Sequence, residues 1–292
     1  MVEEKVTINR IDQTALQYSF LASALACGNP KGPWPKPKLV EYVRDQNPWN
    51  GITYFTDKML QLVPQVKSDY KIAILQEPKS FMPLIYEAAR KFEDHYDLIF
   101  TYDEDLLSRG EKYVFLPPDV CTLDEKYYKL HPKNKLVSMV YSDKKLLPGH
   151  RLRHAVADKL IPKINFSEKI DLFGSGTGVY LENKADACVD YMFQIAIENS
   201  ITTNYYADKI LDCFLCGMIP IYWGCPNIGD FFDERGILQF ETAKELKEIL
   251  ESLSEEKYNS MLQYAKINFE KALETQNIDD YIFKIVKKKL NL

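Results

Sequence analysis

The residues best suited to chemistry lie between positions 198 and 209: Glu198, Asn199 and Ser200, then Tyr205, Asp208 and Lys209. An apolar run over 192–197 precedes them, and an aliphatic stripe of Ile210, Leu211, Phe214 and Leu215 follows. The run predicts a strand buried on both faces, and the stripe predicts a helix. The polar residues therefore fall where a strand ends and a helix begins. Ligands of open α/β sheets bind just beyond strand ends. A helix N-terminus favours an anion through its unpaired N–H groups and partial positive charge. Lys209 adds a full charge there, so a phosphate is the expected ligand. Asn204 is the predicted N-cap, Gly217 the residue just past the helix, and 218–223 the next strand.

The rest of the chain must position this unit. In the front half, 52–55, 71–76, 97–101 and 113–116 read as strands and 84–92 as a helix; the strand over 71–76 ends in Glu77. In the rear half, 135–141 and 170–173 read as strands, Pro148-Gly149 as a turn and 151–160 as a helix carrying Arg153. Helices are predicted at 244–253, 255–274 and 279–290, and an alanine-rich one at 14–27 ahead of a proline-rich loop at 29–38 that holds Trp34. Strands alternating with helices imply parallel sheets. The polar stretch 119–134, with His131-Pro132, marks a break between domains 1–134 and 135–292. The expectation is two Rossmann-like parallel-sheet domains facing across a cleft, with phosphate chemistry in the second and a carboxylate in the first.

Composition narrows the class. With 37 Lys and Arg against 42 Asp and Glu, the net charge of −5 disfavours nucleic-acid binding through bulk electrostatics. Six cysteines, including the C-x-x-C of Cys213 and Cys216, lack a disulfide or metal rhythm and read as small buried side chains in a reducing compartment. No run approaches the roughly 20 apolar residues that span a bilayer, and no secretory signal is visible, so a cytoplasmic location is expected. The basic end at 287–289 allows a weak peripheral contact with an anionic membrane. Gly174, Gly176 and Gly178 form a glycine turn without the dinucleotide spacing. Asp103-Glu104-Asp105 has a D-x-D pattern but reads as a solvated loop, and His150 and His154 as residues at a helix start.

Glu198-Asn199-Ser200, then Y-x-x-D-K at 205–209 and G-M-I-P-I-Y-W-G at 217–224, resemble the family 10 glycosyltransferases, the α1,3/1,4-fucosyltransferases of GT-B fold. Lys184, Tyr191-Met192-Phe193, the segment 135–153 with Ser142 and Arg153, the I-D-L-F-G at 170–174 and the Gln76-Glu77-Pro78 turn extend the likeness. The resemblance implies an inverting, metal-independent transferase that moves fucose from GDP-fucose to a glycan hydroxyl. It implies that Arg153 and Lys209 contact the donor diphosphate, with Asn199, Tyr205, Ser142 and Lys184 on the donor side. Glu198 would support the loop, Asp208 would stand where the family has a glutamate near the nucleoside or sugar, and Glu77 would be the catalytic base. Two protein cations would take the place of a metal. Ala207-Asp208-Lys209 departs from the family's Thr-Glu-Lys. Another GDP- or UDP-sugar donor, or a non-catalytic nucleotide-sugar-binding protein, remains an open reading.

Overall fold

The structure, a computed structural model, describes residues 5–11, 37–117, 123–164 and 170–292. The chain divides into two compact units, one of Met1–Val120 with Asn277–Leu292 and one of Cys121–Gln276. The expected helix at 14–27, the loop carrying Trp34, Cys27 and Cys121 lie outside the described residues.

In the first unit, β1 (Val6–Ile11), β2 (Val40–Arg44), β3 (Trp49–Thr56), β4 (Ser68–Ile74), β5 (Leu98–Thr101) and β6 (Tyr113–Phe115) form one sheet in the order β2-β1-β3-β4-β5-β6. Every pairing is parallel. α1 (Pro83–Lys91) follows β4, with proline in its first turn, where a missing N–H costs nothing. α2 (Glu104–Leu107) follows β5, capped by Asp103, whose carboxylate accepts the Leu106 N–H at 3.1 Å. Lys79 also pairs with Asp103 and Asp105, so the D-x-D pattern serves a helix cap and an ion pair.

The second unit opens with β7 (Lys135–Val140), α3 (Pro148–Ala155) and a π-helical turn over Val156–Leu160, then β8 (Ile170–Phe173). β9 (Tyr191–Ile197), α4 (Asp208–Leu215), β10 (Ile219–Trp223), β11 (Leu238–Gln239), α5 (Ala243–Glu251) and α6 (Glu255–Thr275) complete it. Its sheet is also fully parallel, in the order β11-β10-β9-β7-β8. β9 is central and buried at every residue, as its apolar run predicts. Gly217 takes a φ of 73° just past α4, and the Gly217 and Met218 amides donate to the carbonyls of Phe214 and Cys213. This αL turn aims the chain straight into β10.

Counted from its own first strand, each sheet runs 2-1-3-4-5, the first with one strand more. In such sheets the ligand crevice opens at the carboxyl ends of the strands where the order reverses. Those points lie between β1 and β3, and between β7 and β9.

The last helix, α7 (Ile278–Leu290), returns to the first unit. Its stripe of Ile278, Ile282, Phe283 and Val286 shares a core with Ile8, Ile52, Tyr54, Ile72 and Phe100. Asp280 accepts the Lys38 and Leu39 N–H groups at 2.9–3.1 Å, and Tyr42 donates to Asp279 at 2.7 Å. The division thus differs from the expected break at 134/135. Residues 123–134 pack on the second unit, where Leu123 joins the core around α4 and Lys133 donates to the carbonyls of Cys188, Val189 and Cys216. No helix of the described residues is long and apolar enough to cross a membrane.

Candidate active site

At the carboxyl ends of β7 and β9 lies a hollow of about 230 Å³, lined by Ser142, Arg153, Ser175, Lys184, Asp208 and Lys209 among others. α3 starts against the backbone that leaves β9, and the residue before α4 bonds the Glu198 side chain. Pro148-Gly149, expected as a turn, instead opens α3. The Gly149 N–H donates to the Asn199 carbonyl at 2.9 Å, and a Cβ on Gly149 would sit 1.7 Å from the Glu198 carbonyl oxygen. Only glycine lets α3 start this close. One turn on, the buried Arg153 donates from Nε to the Ile197 carbonyl at 3.0 Å and from Nη2 to Asn199 Oδ1 at 2.6 Å. Burial lowers the guanidinium's proton affinity and the Glu198 and Asp208 carboxylates raise it.

Carboxylates hold the lysines. Glu198, fully buried, accepts the Ala207 N–H at 2.9 Å through Oε1, and its Oε2 lies 3.2 Å from Lys209 Nζ. Gly224 makes room for it, since a Cβ there would meet Glu198 Cγ at 2.5 Å. Lys209 Nζ lies 3.0 Å from Asp208 Oδ1, while Lys184 bridges Asp208 and Asp212. Burial alone would raise the Asp208 carboxyl, but Lys184 and Lys209 outweigh it and hold the group far below the ordinary carboxylate range. Burial works against the Lys184 charge, and Asp208 and Asp212 more than restore it. Three cations and three carboxylates thus balance, and the cationic heads are fixed before any ligand arrives. Fixed donors at a site of developing negative charge need no reorganisation during reaction.

Most of the residues singled out in the sequence meet here. Ser142, Arg153, Lys184, Asp208 and Lys209 line the hollow, and Asn199 and Glu198 are bonded to its cations. Tyr205 is buried in the loop that enters α4. Asn204 is not the N-cap: Ala207 stands at that position, and Asn204 adopts a φ of 62° with its side chain bonded to Asn227. The Glu198 side chain reaches across the loop to Ala207 and supplies the acceptor a local cap would have given. Glu77 belongs to the first unit, just past β4, where its N–H donates to Asp57 at 3.3 Å.

The sequence reading passed over Asp212 and gave Gly174 and His150 no part in the site. Asp212 sits one turn after Asp208, a spacing that puts two carboxylates on one helix face, but it reads as an ordinary polar position. Gly174, at φ 100°, presses on Tyr141, where a Cβ would meet the carbonyl oxygen at 2.3 Å, and this places Ser175 at the hollow. His150 Nδ1 accepts the Leu147 N–H at 3.0 Å and caps α3. Burial, with Arg153, Lys144, Lys209 and His154 nearby, pulls this imidazole down to about 4. Cys188, Cys213, Cys216 and Cys225 are buried and free, consistent with small apolar fillers.

Residues 130–279 match the profile of the glycosyltransferase family 10 (fucosyltransferase) C-terminal region. An α-(1,3)-fucosyltransferase of Helicobacter pylori is 28% identical over 107 residues, 36% of this chain and 22% of that protein. An α-(1,4)-fucosyltransferase of Arabidopsis thaliana is 27% identical over 154 residues, 46% of this chain and 38% of that one. The chain thus matches well under half the length of these relatives. A crystal structure of an α1,3-fucosyltransferase with GDP-fucose has the same fold at 17% identity, with a TM-score of 0.55 over 94% of this chain and 90% of that one. Another α1,3-fucosyltransferase crystal structure gives 0.57 at 18% identity over 92% and 88%. The architecture is that of the GT-B fold, with two α/β units each built on a parallel sheet.

Proposed function

The chain belongs to glycosyltransferase family 10, and we propose that it moves fucose from GDP-fucose to a glycan hydroxyl, inverting the sugar carbon and needing no metal ion. The observation that carries this reading is that Arg153 and Lys209 line one hollow at the reversal point of the second sheet. Cleaving a sugar–diphosphate bond leaves negative charge on the departing phosphate. Two preset cations and the N–H groups opening α4 supply what that charge requires. The site is electrically balanced when empty, so affinity rests on the placement of these donors rather than on net charge. Lys184 and Asp212 keep Asp208 in place, and Asp208 with Glu198 keeps Lys209 in place. Ser142, Asn199 and Tyr205 complete the donor side. Glu77 takes the proton of the acceptor hydroxyl as the sugar carbon is attacked, a contribution of about 10²–10⁴-fold.

Lys209→Ala tests the donor side. It should lower transfer by about 10²–10³-fold, as loss of one donor to a developing oxyanion does, and weaken GDP binding in a calorimetric titration. Unchanged GDP affinity would refute the role given to Lys209. A thermal-shift panel of nucleotide sugars checks the donor: stabilisation by GDP-fucose over UDP-sugars is expected, and the reverse order would overturn the assignment.

A further inference from the structure

The β4 ladder stops two residues before the proposed base: Leu75 still donates to Phe100 at 2.9 Å, but the next two backbone N–H groups, of Gln76 and Glu77, turn to a side chain instead. Asp57, the first residue after β3, takes over from the sheet. Its Oδ1 accepts the Gln76 N–H at 3.0 Å and the Glu77 N–H at 3.3 Å. The Tyr86 hydroxyl, from α1, donates to the Glu77 carbonyl at 2.7 Å. Two residues on, the Lys79 N–H donates to the Tyr102 hydroxyl at 2.9 Å, and Lys79 Nζ is held by Asp103 and Asp105. The turn that carries Glu77 is therefore gripped at its N–H, its carbonyl and its far end.

The grip departs from local preference in three ways. Asp57 is a non-glycine residue at a φ of 42°, in the left-handed region. The residue is only 7% exposed. The side-chain Oε1 and Nε2 of Gln76, beside Glu77, are buried without a hydrogen-bond partner. Such departures gather at functional sites, where geometry is kept at some cost to stability.

We propose that Asp57 is a positioning residue for the general base: its carboxylate clamps the Gln76–Glu77 backbone beyond the end of β4 and so fixes where the Glu77 carboxyl group stands. This rests on Glu77 being the base, as in the function proposed above. Burial raises the Asp57 carboxyl, and the two backbone N–H groups it accepts, with Arg10 and Lys58, pull the other way. A charge-independent oxygen is what the clamp requires, so asparagine, which also tolerates the left-handed region, should serve nearly as well.

The test uses the 292-residue chain with GDP-fucose and the best acceptor from a panel of short oligosaccharides. Asp57→Gly accepts the backbone conformation and removes the acceptor oxygen. It should lower kcat at least tenfold, leave the GDP-fucose KM within twofold, and speed hydrogen exchange at the Gln76 and Glu77 amides. Asp57→Asn should keep kcat within about threefold, the rescue expected of positioning without charge. Tyr86→Phe, which frees the carbonyl end while keeping the ring, should lower kcat by a smaller factor and covers the case in which Asp57→Gly does not fold. Wild-type kcat in Asp57→Gly, or in Tyr86→Phe if the glycine variant is lost, overturns the inference while an inactive Glu77→Gln leaves the base in place. An active Glu77→Gln removes the base itself, and the inference with it. A donor KM that rises in step with the fall in kcat would show general disruption and also overturn it.

Discussion

The two sheets of this protein share one strand order and use their carboxyl ends differently. Beyond β9, side chains grip side chains: Glu198, Asp208 and Asp212 hold Lys209 and Lys184, and Asn199 holds Arg153. Beyond β4, a side chain grips backbone: Asp57 holds the amides of Gln76 and Glu77. The first arrangement stores charge at a fixed place and suits a ligand that brings charge. The second fixes backbone and suits the placing of a single reactive group. Shared topology sets where a site can form, and the polar residues at the strand ends decide what it does.

The contrast breaks if a change in one unit is felt in the chemistry of the other. The largest expected effect is on stability. Phe283→Ala empties a buried position where α7 covers the first sheet and should cost that unit about 3–5 kcal/mol. GDP affinity, measured by calorimetry, should stay within twofold; a larger loss would show that the second unit depends on the first for its donor site. Gly149→Ala is the converse. Its Cβ would meet the Glu198 carbonyl, and displacing α3 from that backbone should weaken GDP binding by about 10–100-fold, about 1.4–2.7 kcal/mol, within the usual cost of overpacking. The resistance of the first unit to urea should be unchanged.

The smallest effect is a pH dependence confined to the second unit. His150 titrates near 6.5 when unfolded and at about 4 in the folded protein. As pH falls below 6.5, the unfolded chain takes a proton that the folded chain refuses, so stability present above 6.5 drains away toward pH 4. Protonation also removes the lone pair that accepts the Leu147 N–H. His150→Gln keeps an acceptor without the titration, and its urea midpoint should fall less than the wild-type one between pH 7 and 4.5. Equal slopes would remove His150 from that pH dependence.

Much of this was legible in the sequence, for reasons tied to particular residues. The apolar run through Phe193, Ile195 and Ile197 and the stripe through Ile210 and Phe214 announce the β9–α4 unit, because burial on both faces and on one face leave different periods. Arg153 and Lys209 stood out through their motifs, and they do line one hollow. The first two strands were missed: Val6–Ile11 carries Asn9 and Arg10 inward, so its polar residues mask its burial. The capping of α4 was misread because the acceptor for Ala207 comes from Glu198, nine residues away, and no local rule reaches that far. The role of Asp212 depends on Lys184, which meets it only after folding. The helix over 279–290 was expected, but a helical pattern does not say which sheet it will cover.

That last helix gives the molecule an unusual order of assembly. Everything the second unit needs has been made by residue 276, whereas the first unit lacks α7 until residue 290 has been added. During synthesis the rear lobe can close its core while the front sheet still exposes Ile8, Tyr54 and Phe100 to solvent or chaperone. The part of the chain born first is the part finished last.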